Sequence, residues 1–204
     1  AGNSAASAWD LGDQVLCLEF HTKMNSLDAE VFKVISEVIT LIPAKGFQAL
    51  VIYNEGTNFS VGVNLGQALF AANLAGWSEI SKSVKQGQDI YNALKYAPFP
   101  VVGAPSGMAL GGGCEVLLHC DAIQAHAETY LGLVEVGVGL VPAWGGCKEM
   151  LLRWMNNPKH PQGPMAAVGM VFEAIGMANV SRSAEEARDL LFLRPTDNIS
   201  MNRN

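Results

Sequence analysis

The chain has 204 residues, half of them hydrophobic, and 13 Lys and Arg against 19 Asp and Glu give a net charge of −6. This length and apolar content suit one domain with a sizeable core, and they differ from those of disordered sequences. The acidic balance and the lack of a basic run exclude nucleic acid as an expected partner. No stretch reaches about 18 uninterrupted apolar residues, so no membrane span is predicted.

The cysteines and histidines predict neither a disulfide framework nor a metal site. The cysteines lie in apolar contexts without CxxC spacing, which indicates buried free thiols in a reducing compartment, and we expect the cytoplasm. No two histidines have metal-ligand spacing with a third acidic group, so they are interpreted as core or surface residues. The residues concerned are Cys17, Cys114, Cys120, Cys147, His21, His119, His126 and His160.

Both ends of the chain are typical of a fragment of a longer polypeptide. Residues 1–10 begin without Met and contain many small residues, so they are interpreted as a linker-like start. Residues 11–204 are assigned to one domain. Its last segment, 194–204, is polar and predicts no closing element.

Apolar periodicity predicts alternating strands and helices along the chain. Strands are predicted at 15–20, 48–53, 98–103, 121–125 and 129–133, and residues 54–66 form a loop. Helices are predicted at 27–42 ending at Pro43, at 67–95 with a break near Gly76, from Gly112 as a short helix, and at 145–154, 164–176 and 184–191. This alternation predicts an α/β fold.

The glycine-rich segment 106–115, SGMALGGGCE, carries the first candidate site. Three consecutive glycines allow a tight turn or a close approach of backbone to ligand, and no Gly-Lys-Ser/Thr follows that would indicate a P-loop. Glu115 follows the glycines in the first turn of the predicted helix, where the Gly112 N–H is suited to stabilise an oxyanion. A packing turn without function is the alternative.

A second carboxylate, Glu135, lies in a stretch that has no other charge. Carboxylates within apolar segments are rarely buried without a reason, and a pair of them suits general acid–base catalysis. For Glu115 the alternative is an exposed position on an amphipathic helix. Gly62 allows close backbone approach in the loop 54–66, so Val63 N–H is a candidate second oxyanion donor, although a plain turn is the commoner meaning of such a loop.

Three motifs, in order and with the right gaps, resemble those of the enoyl-CoA hydratase/isomerase (crotonase) superfamily. FSVGVN at 59–64 is similar to its FxxGxD loop, residues 99–116 to its KPVIAAVxGxAxGGGxE segment, and residues 129–146 to its FxxPExxxGxxPGxGG segment. The resemblance runs from about residue 15 to residue 154. It implies a crotonase-like spiral of ββα units, with the family's C-terminal helices truncated.

The resemblance also implies roles for individual residues. The N–H groups of Val63 and Gly112 would form the oxyanion hole for a CoA thioester, and Glu115 and Glu135 match the two glutamates with which hydratases add water to 2-enoyl-CoA. Isomerases of the family usually keep one of these acids. The residues implied in substrate and CoA binding are Thr22, Lys23, Met24, Thr57, Val61, Gly62 and Gly111.

This sequence departs from the family motifs at several positions. Asn64 stands where the family has Asp, Val63 where it has Ala, and Leu133-Val134 where it has a residue followed by Pro. Trp144 stands at a position that is small in the family. It either narrows the acyl pocket or reshapes the turn that helps to hold the water.

The amino-acid sequences of several segments resemble those of one subgroup of the family. In that subgroup a hydratase-like domain follows a 3-hydroxyacyl-CoA dehydrogenase domain in one bacterial polypeptide. This implies a lyase of fatty-acid β-oxidation with an acyl-CoA substrate and no tightly bound cofactor in this domain. NAD would serve the dehydrogenase domain, and the expected partner is that domain or a second copy of the chain. A 3,2-enoyl-CoA isomerase and a non-catalytic CoA-binding or assembly domain are the alternatives.

Overall fold

The computed structural model describes residues 1–158 and 163–203, so His160 lies outside the described residues. Its strands are β1 (Ala6–Asp10), β2 (Val15–Phe20), β3 (Ala49–Tyr53), β4 (Asn58–Ser60), β5 (Val101–Ala104), β6 (Met108–Leu110), β7 (Ala122–His126), β8 (Tyr130–Gly132) and β9 (Asn198–Ser200). Its α-helices are α1 (Ala29–Lys45), α2 (Leu65–Asn73), α3 (Trp77–Lys95), α4 (Gly112–Leu118), α5 (Gly146–Met155), α6 (Pro164–Gly176) and α7 (Ala184–Asp189). Short 3-10 helices span Lys23–Asn25 and Glu135–Val138.

The strands form two sheets that the chain visits in turn. The larger sheet has the order β1-β2-β3-β5-β7-β9, and the smaller has the order β4-β6-β8. All pairs are parallel except β1 with β2. Each passage from β3 to β4, β5 to β6 and β7 to β8 is followed by helices, so each ββα unit adds one strand to each sheet. This is the spiral that the family resemblance implied.

Helix α1 covers the larger sheet and begins and ends through local interactions. Asp28 caps it by accepting a hydrogen bond from Val31 N at 2.9 Å. Gly46 ends it at φ +80°, and Phe47 N donates to Ile42 O at 3.0 Å. The predicted end at Pro43 is wrong, because a proline in the last turn removes only one intrahelical hydrogen bond and the helix continues to Lys45.

The linker-like start predicted for residues 1–10 is wrong for residues 6–10, which form β1. Ala6 is fully buried opposite Phe20, and His21 N donates to Ala5 O at 2.7 Å. Small side chains gave no hydrophobic period in the sequence, but they allow the edge strand to lie close against α1.

Short elements account for the other differences from the predictions. The loop predicted at 54–66 contains β4 and the start of α2, and the tail at 194–204 contains β9. β4, β6 and β9 each have three residues, which is too short for a periodic pattern.

The prediction that all four thiols are buried is wrong for Cys147, which is exposed. The other three cysteines are buried and free.

Asn54 joins the two sheets through its buried amide. Its Oδ1 accepts from Phe20 N at 2.7 Å and its Nδ2 donates to Phe59 O at 2.6 Å, so one side chain links β2 to β4. Asn54 is only 1 % exposed, and water cannot replace either bond. The smaller sheet, which carries one of the candidate oxyanion loops, therefore depends on this side chain for its placement.

Replacing Asn54 by Ala should lower the free energy of unfolding by about 2–4 kcal/mol, because a buried N–H and a buried C=O each lose their partner. Urea denaturation of the purified variant measures this change. Thr40→Ala is the control, since Thr40 is exposed and bonds only Ser36 O, and it should change stability by less than about 0.5 kcal/mol. Equal losses in the two variants would contradict the role given to Asn54.

Candidate active site

Two glycine loops meet at the end of the smaller sheet. Gly62 has φ +84°, and a Cβ added to it would lie 2.7 Å from Gly112 N and 3.0 Å from Leu110 O. Any side chain at position 62 would therefore collide with the backbone of the other loop. Gly112 is equally restricted, since its Cβ would lie 2.6 Å from Trp144 Cζ3 and 3.2 Å from Leu27 Cδ1. The contact between the loops therefore needs a glycine at position 62, and the contact with Trp144 and Leu27 needs one at position 112.

Hydrogen bonds orient the peptide groups of these loops. Gly62 O accepts from Leu27 N at 2.8 Å, so in the trans peptide the Val63 N–H points in the opposite direction. Gly111 O accepts from Cys114 N and Glu115 N, both at 2.9 Å, which directs the Gly112 N–H out of the N-terminus of α4. Tyr91 OH fixes the next peptide by donating to Gly112 O at 2.8 Å. The N–H groups of Val63 and Gly112 are thus held in fixed directions.

Glu115 is buried on the first turn of α4, with 2 % of its surface exposed. Its Oε1 accepts from Trp144 N at 2.9 Å and from Gly146 N at 2.8 Å. Burial raises the pKa of Glu115 to about 8, and the nearby Glu135 carboxyl adds to the rise, while the two N–H donors oppose it. The exposed-helix alternative for Glu115 is therefore wrong.

Glu135 opens the 3-10 helix after β8 and faces the same loops. A Cβ added to Gly111 would lie 3.4 Å from Glu135 Oε1, and Gly111 N donates to Gly132 O at 2.9 Å. Glu135 Oε2 is buried and has no hydrogen-bond partner among the described residues. Burial raises the pKa of this carboxyl above its usual range. The structure thus brings Glu115, Glu135 and both glycine loops together.

The turn 144–146, which holds Glu115, was not singled out from the sequence as a carboxylate-binding turn. His119 packs against this turn, since a Cβ added to Gly145 would lie 2.7 Å from His119 Cε1. The same ring lies close to α4, because His119 Nδ1 is 2.7 Å from Glu115 O. Burial lowers the pKa of His119 to about 4, so the ring is neutral at pH 7. The Gly145-Gly146 pair was the available signal, because two glycines after a proline-containing loop favour exposed backbone N–H groups.

The residues implied in CoA binding lie in the segment 22–24, near the glycine loops and, for Thr57, at the opposite end of β4. The segment with Thr22, Lys23 and Met24 is tied to β4, because Asn25 Nδ2 donates to Asn58 O at 2.9 Å and Ser60 Oγ donates to Asn25 O at 2.6 Å. Lys23 and Met24 are exposed next to this strand.

Val61 lies within the glycine-loop region, since its O is 4.0 Å from a Cβ added to Gly111. Thr57 lies four residues earlier and is exposed, at the opposite end of β4. Four residues of extended chain span about 13 Å, so the structure does not bring Thr57 to the glutamates.

The described residues give no sign of a metal site or a membrane span. No group of three or more His, Cys, Asp and Glu in 1–158 and 163–203 could hold a metal ion. Over the same residues, every helix is too short or too polar to cross a bilayer.

A family model described as "Enoyl-CoA hydratase/isomerase" matches residues 12–159. The chain belongs to the enoyl-CoA hydratase/isomerase family. A curated relative from Bacillus subtilis, named "Probable 3-hydroxyacyl-CoA dehydrogenase", is 42% identical over 203 residues, which are 100% of this chain and 25% of the relative. The fatty acid oxidation complex subunit alpha of Vibrio campbellii is 36% identical over 132 residues, covering 63% of this chain and 18% of the relative.

The fold agrees with that of solved members of the enoyl-CoA hydratase/isomerase family. The crystal structure of an enoyl-CoA hydratase from Thermoplasma volcanium superposes with a TM-score of 0.80 at 17% identity, covering 98% of this chain and 73% of that one. This likeness confirms the predicted crotonase-like fold. The chain spans about a quarter of the length of the Bacillus relative.

The raised pKa of Glu115 predicts a pH-dependent cost to folding. The folded state keeps a proton on Glu115 up to about pH 8, whereas the unfolded chain loses it near 4.5, so wild-type stability falls as the pH rises through this window. A Glu115→Gln variant stays neutral, and its stability relative to wild type should rise between pH 5 and 8 by at most about 1.4 kcal/mol per pH unit.

Denaturation of both proteins at a series of pH values measures this difference. Glu128→Gln is the control, because Glu128 is exposed and its removal should leave the profile unchanged. A constant difference between Glu115→Gln and wild type across this window would mean that Glu115 ionises normally.

Proposed function

We propose that this chain adds water to the double bond of 2-enoyl-CoA thioesters, giving 3-hydroxyacyl-CoA. The observation that carries the proposal is the pair of carboxyls, on buried Glu115 and half-buried Glu135, next to the two glycine loops that carry the N–H groups of Val63 and Gly112. An enzyme that adds water to an activated double bond needs donors for the enolate oxygen and separate groups to accept and to deliver protons. The close approach of Gly62 to Gly112 N and of Gly111 to Glu135 Oε1 supports this arrangement.

In the proposed reaction the thioester oxygen accepts hydrogen bonds from Val63 N–H and Gly112 N–H. Glu115 removes a proton from water as the water oxygen bonds to C3, and the electron pair of the double bond moves to the thioester as an enolate. Glu135 then donates its proton to C2, and a proton passes from Glu115 back to Glu135 before the next turnover. Glu115 must be ionised and Glu135 protonated when water attacks. Because burial raises the pKa of Glu115 to about 8, the ionised form of Glu115 that this step needs becomes populated as the pH approaches 8.

The CoA part of the substrate would lie along the segment 22–24 and the loop at Val61, Gly62 and Gly111. Lys23 is exposed there and offers a cation to the CoA phosphates. Thr57, at the other end of β4, would lie near the adenine. This placement leaves the acyl chain to extend from the glutamates on the side away from the segment 22–24.

The longer relatives suggest that this chain is one part of a multifunctional polypeptide. We propose that the rest contains a 3-hydroxyacyl-CoA dehydrogenase, which would use NAD to oxidise the hydroxyl group formed here. In this arrangement the hydratase site and the dehydrogenase act on consecutive intermediates of β-oxidation in the cytoplasm. Contact with that domain or with a second copy of the chain belongs to the same proposal.

Replacing either glutamate by Gln should reduce hydration of crotonyl-CoA by about 10²–10⁴-fold, because a proton-transfer group is lost while the size of the side chain is kept. The measurement is the decrease in the absorbance of the conjugated thioester, without NAD, in the full polypeptide. Glu128→Gln serves as the matched control and should retain wild-type turnover, since Glu128 is exposed. Full activity in a protein lacking both Glu115 and Glu135 would refute the mechanism.

The same assay separates hydration from its alternatives. A 3,2-enoyl-CoA isomerase would convert a 3-enoyl-CoA into the conjugated thioester, so absorbance would rise instead of fall. A non-catalytic domain would bind CoA thioesters and change neither substrate. Hydration of the 2-enoyl substrate, lost in Glu135→Gln, is the expected result.

The contact between the glycine loops predicts the effect of adding one methyl group. Gly62→Ala should lower kcat by about 10²–10³-fold, because the new Cβ would displace Gly112 N from its position as an oxyanion donor. Gly46→Ala is a matched control, since Gly46 has a similar φ of +80° and nothing within 4 Å of its Cβ position. Steady-state kinetics of the two folded variants would contradict the proposal if their kcat values fell equally.

A further inference from the structure

Trp144 occupies the space between three helices directly behind the glycine loop. Its side chain is 7 % exposed and packs edge-on against Phe32 of α1 and Tyr91 of α3, with ring centroids 5.0 and 5.7 Å away. Phe32 and Tyr91 themselves meet edge-on at 6.1 Å. The three rings contact one another in pairs, and both Trp144 and Tyr91 reach Gly112, Trp144 through its ring and Tyr91 through its hydroxyl group.

The two edges of the indole face two glycines. The six-membered ring faces the site, since a Cβ added to Gly112 would lie 2.6 Å from Cζ3 and 2.9 Å from Cε3. The pyrrole edge faces α3, where a Cβ added to Gly87 would lie 2.3 Å from Nε1 and 2.4 Å from Cδ1. Glycine is unfavourable inside a helix, so the glycine at position 87 is explained by the space that the indole needs.

The backbone of Trp144 connects the ring to the catalytic carboxyl. Its N–H donates to Glu115 Oε1 at 2.9 Å, and Gly146 N donates to the same atom at 2.8 Å. The ring, the Glu115 carboxyl and the Gly112 peptide are therefore held in fixed positions relative to one another. Trp144 thus both shapes the turn that holds Glu115 and fills the space next to the oxyanion donors.

We propose that the indole of Trp144 closes the acyl-chain side of the site and selects short 2-enoyl-CoA substrates. This inference rests on the proposed function. With the thioester oxygen at Val63 N–H and Gly112 N–H, carbons C2 and C3 lie by Glu135 and Glu115. The carbons beyond C3 then continue away from the CoA segment 22–24 and meet the six-membered ring of Trp144.

The alkyl chain has no room to pass between this ring and α4. Contact between Gly112 and the indole is so close that even a methyl group on Gly112 would overlap the ring. Phe32 and Tyr91 hold the indole from behind, so it cannot rotate away without disrupting the aromatic cluster. A four-carbon substrate ends before the ring, whereas a longer chain requires the ring to move.

Trp144→Phe tests this proposal with little change to the aromatic cluster. A phenyl ring does not reach as far as Cζ3, so it opens space at Gly112 while keeping an aromatic group near Phe32, Tyr91 and Gly87. We would measure kcat/KM of the full polypeptide for 2-enoyl-CoA substrates of four, eight and twelve carbons. Wild type should prefer four carbons, and the variant should gain about fourfold for each newly accommodated methylene group.

Phe32→Leu is the control for a merely structural effect. It removes an aromatic contact from the other side of the indole and leaves the edge at Gly112 covered, so it should lower stability without changing the order of substrate preference. Binding of butanoyl-CoA and dodecanoyl-CoA, measured by calorimetry, gives a second test that needs no turnover. Trp144→Phe should tighten dodecanoyl-CoA binding relative to butanoyl-CoA.

The outcomes separate this inference from the proposed function. If no enoyl-CoA is hydrated but the ratio of the two binding constants shifts, the hydratase function fails and the role of Trp144 stands. If wild type hydrates all chain lengths equally, the inference is overturned. The same conclusion follows if the folded Trp144→Phe protein keeps the wild-type preference.

Discussion

The contact between the backbones of Gly62 and Gly112 is the constraint on which the rest of the site depends. Two loops from different turns of the spiral approach so closely that no side chain fits between them. The approach is set by the parallel pairing of β4 with β6, which fixes where both loops leave the smaller sheet. The contact involves only main-chain atoms. It therefore tolerates Val63 and Asn64, which differ from the residues of the family motif and whose side chains lie outside the contact.

Burial of carboxyl groups next to this contact has a cost that the fold offsets in two ways. The two N–H groups of the turn 144–146 stabilise the ionised Glu115 carboxylate, and burial raises its pKa to about 8, so the group can also be buried in its neutral form. Glu135 Oε2 has no such partner among the described residues. A buried acceptor without a partner is unfavourable in the free protein and is suited to a ligand that supplies one.

A second layer of polar contacts holds the turn 144–146 in place. Glu149, on the first turn of α5, is 4 % exposed and accepts hydrogen bonds from Lys95 of α3 at 2.7 and 2.6 Å. Its Oε1 lies 3.7 Å from His119 Nε2, and His119 in turn contacts Gly145 and Glu115 O. Helices α3, α4 and α5 are thereby joined directly beneath the carboxyl of Glu115, which keeps its position independent of solvent-exposed loops.

The sequence by itself determined the α/β class, the family and the long elements, because strands such as β2 and β3 and helices such as α1 and α3 have clear apolar periods. It also identified Glu115, Glu135 and the glycines as the residues to examine, since isolated acids in apolar segments are unusual. The site assignments remain predictions for the assays above. Strands β1, β4, β6 and β9 were missed, because they are short or built from small residues and form only when distant segments pair.

Only the tertiary structure decided how these residues meet. Spacing along the chain could not establish that Glu115 is buried, that it accepts from Trp144 N and Gly146 N, or that Gly87 and Gly112 make room for one indole ring. Each of these relations joins segments from different turns of the spiral, and a one-dimensional pattern carries no information about contacts that packing alone creates.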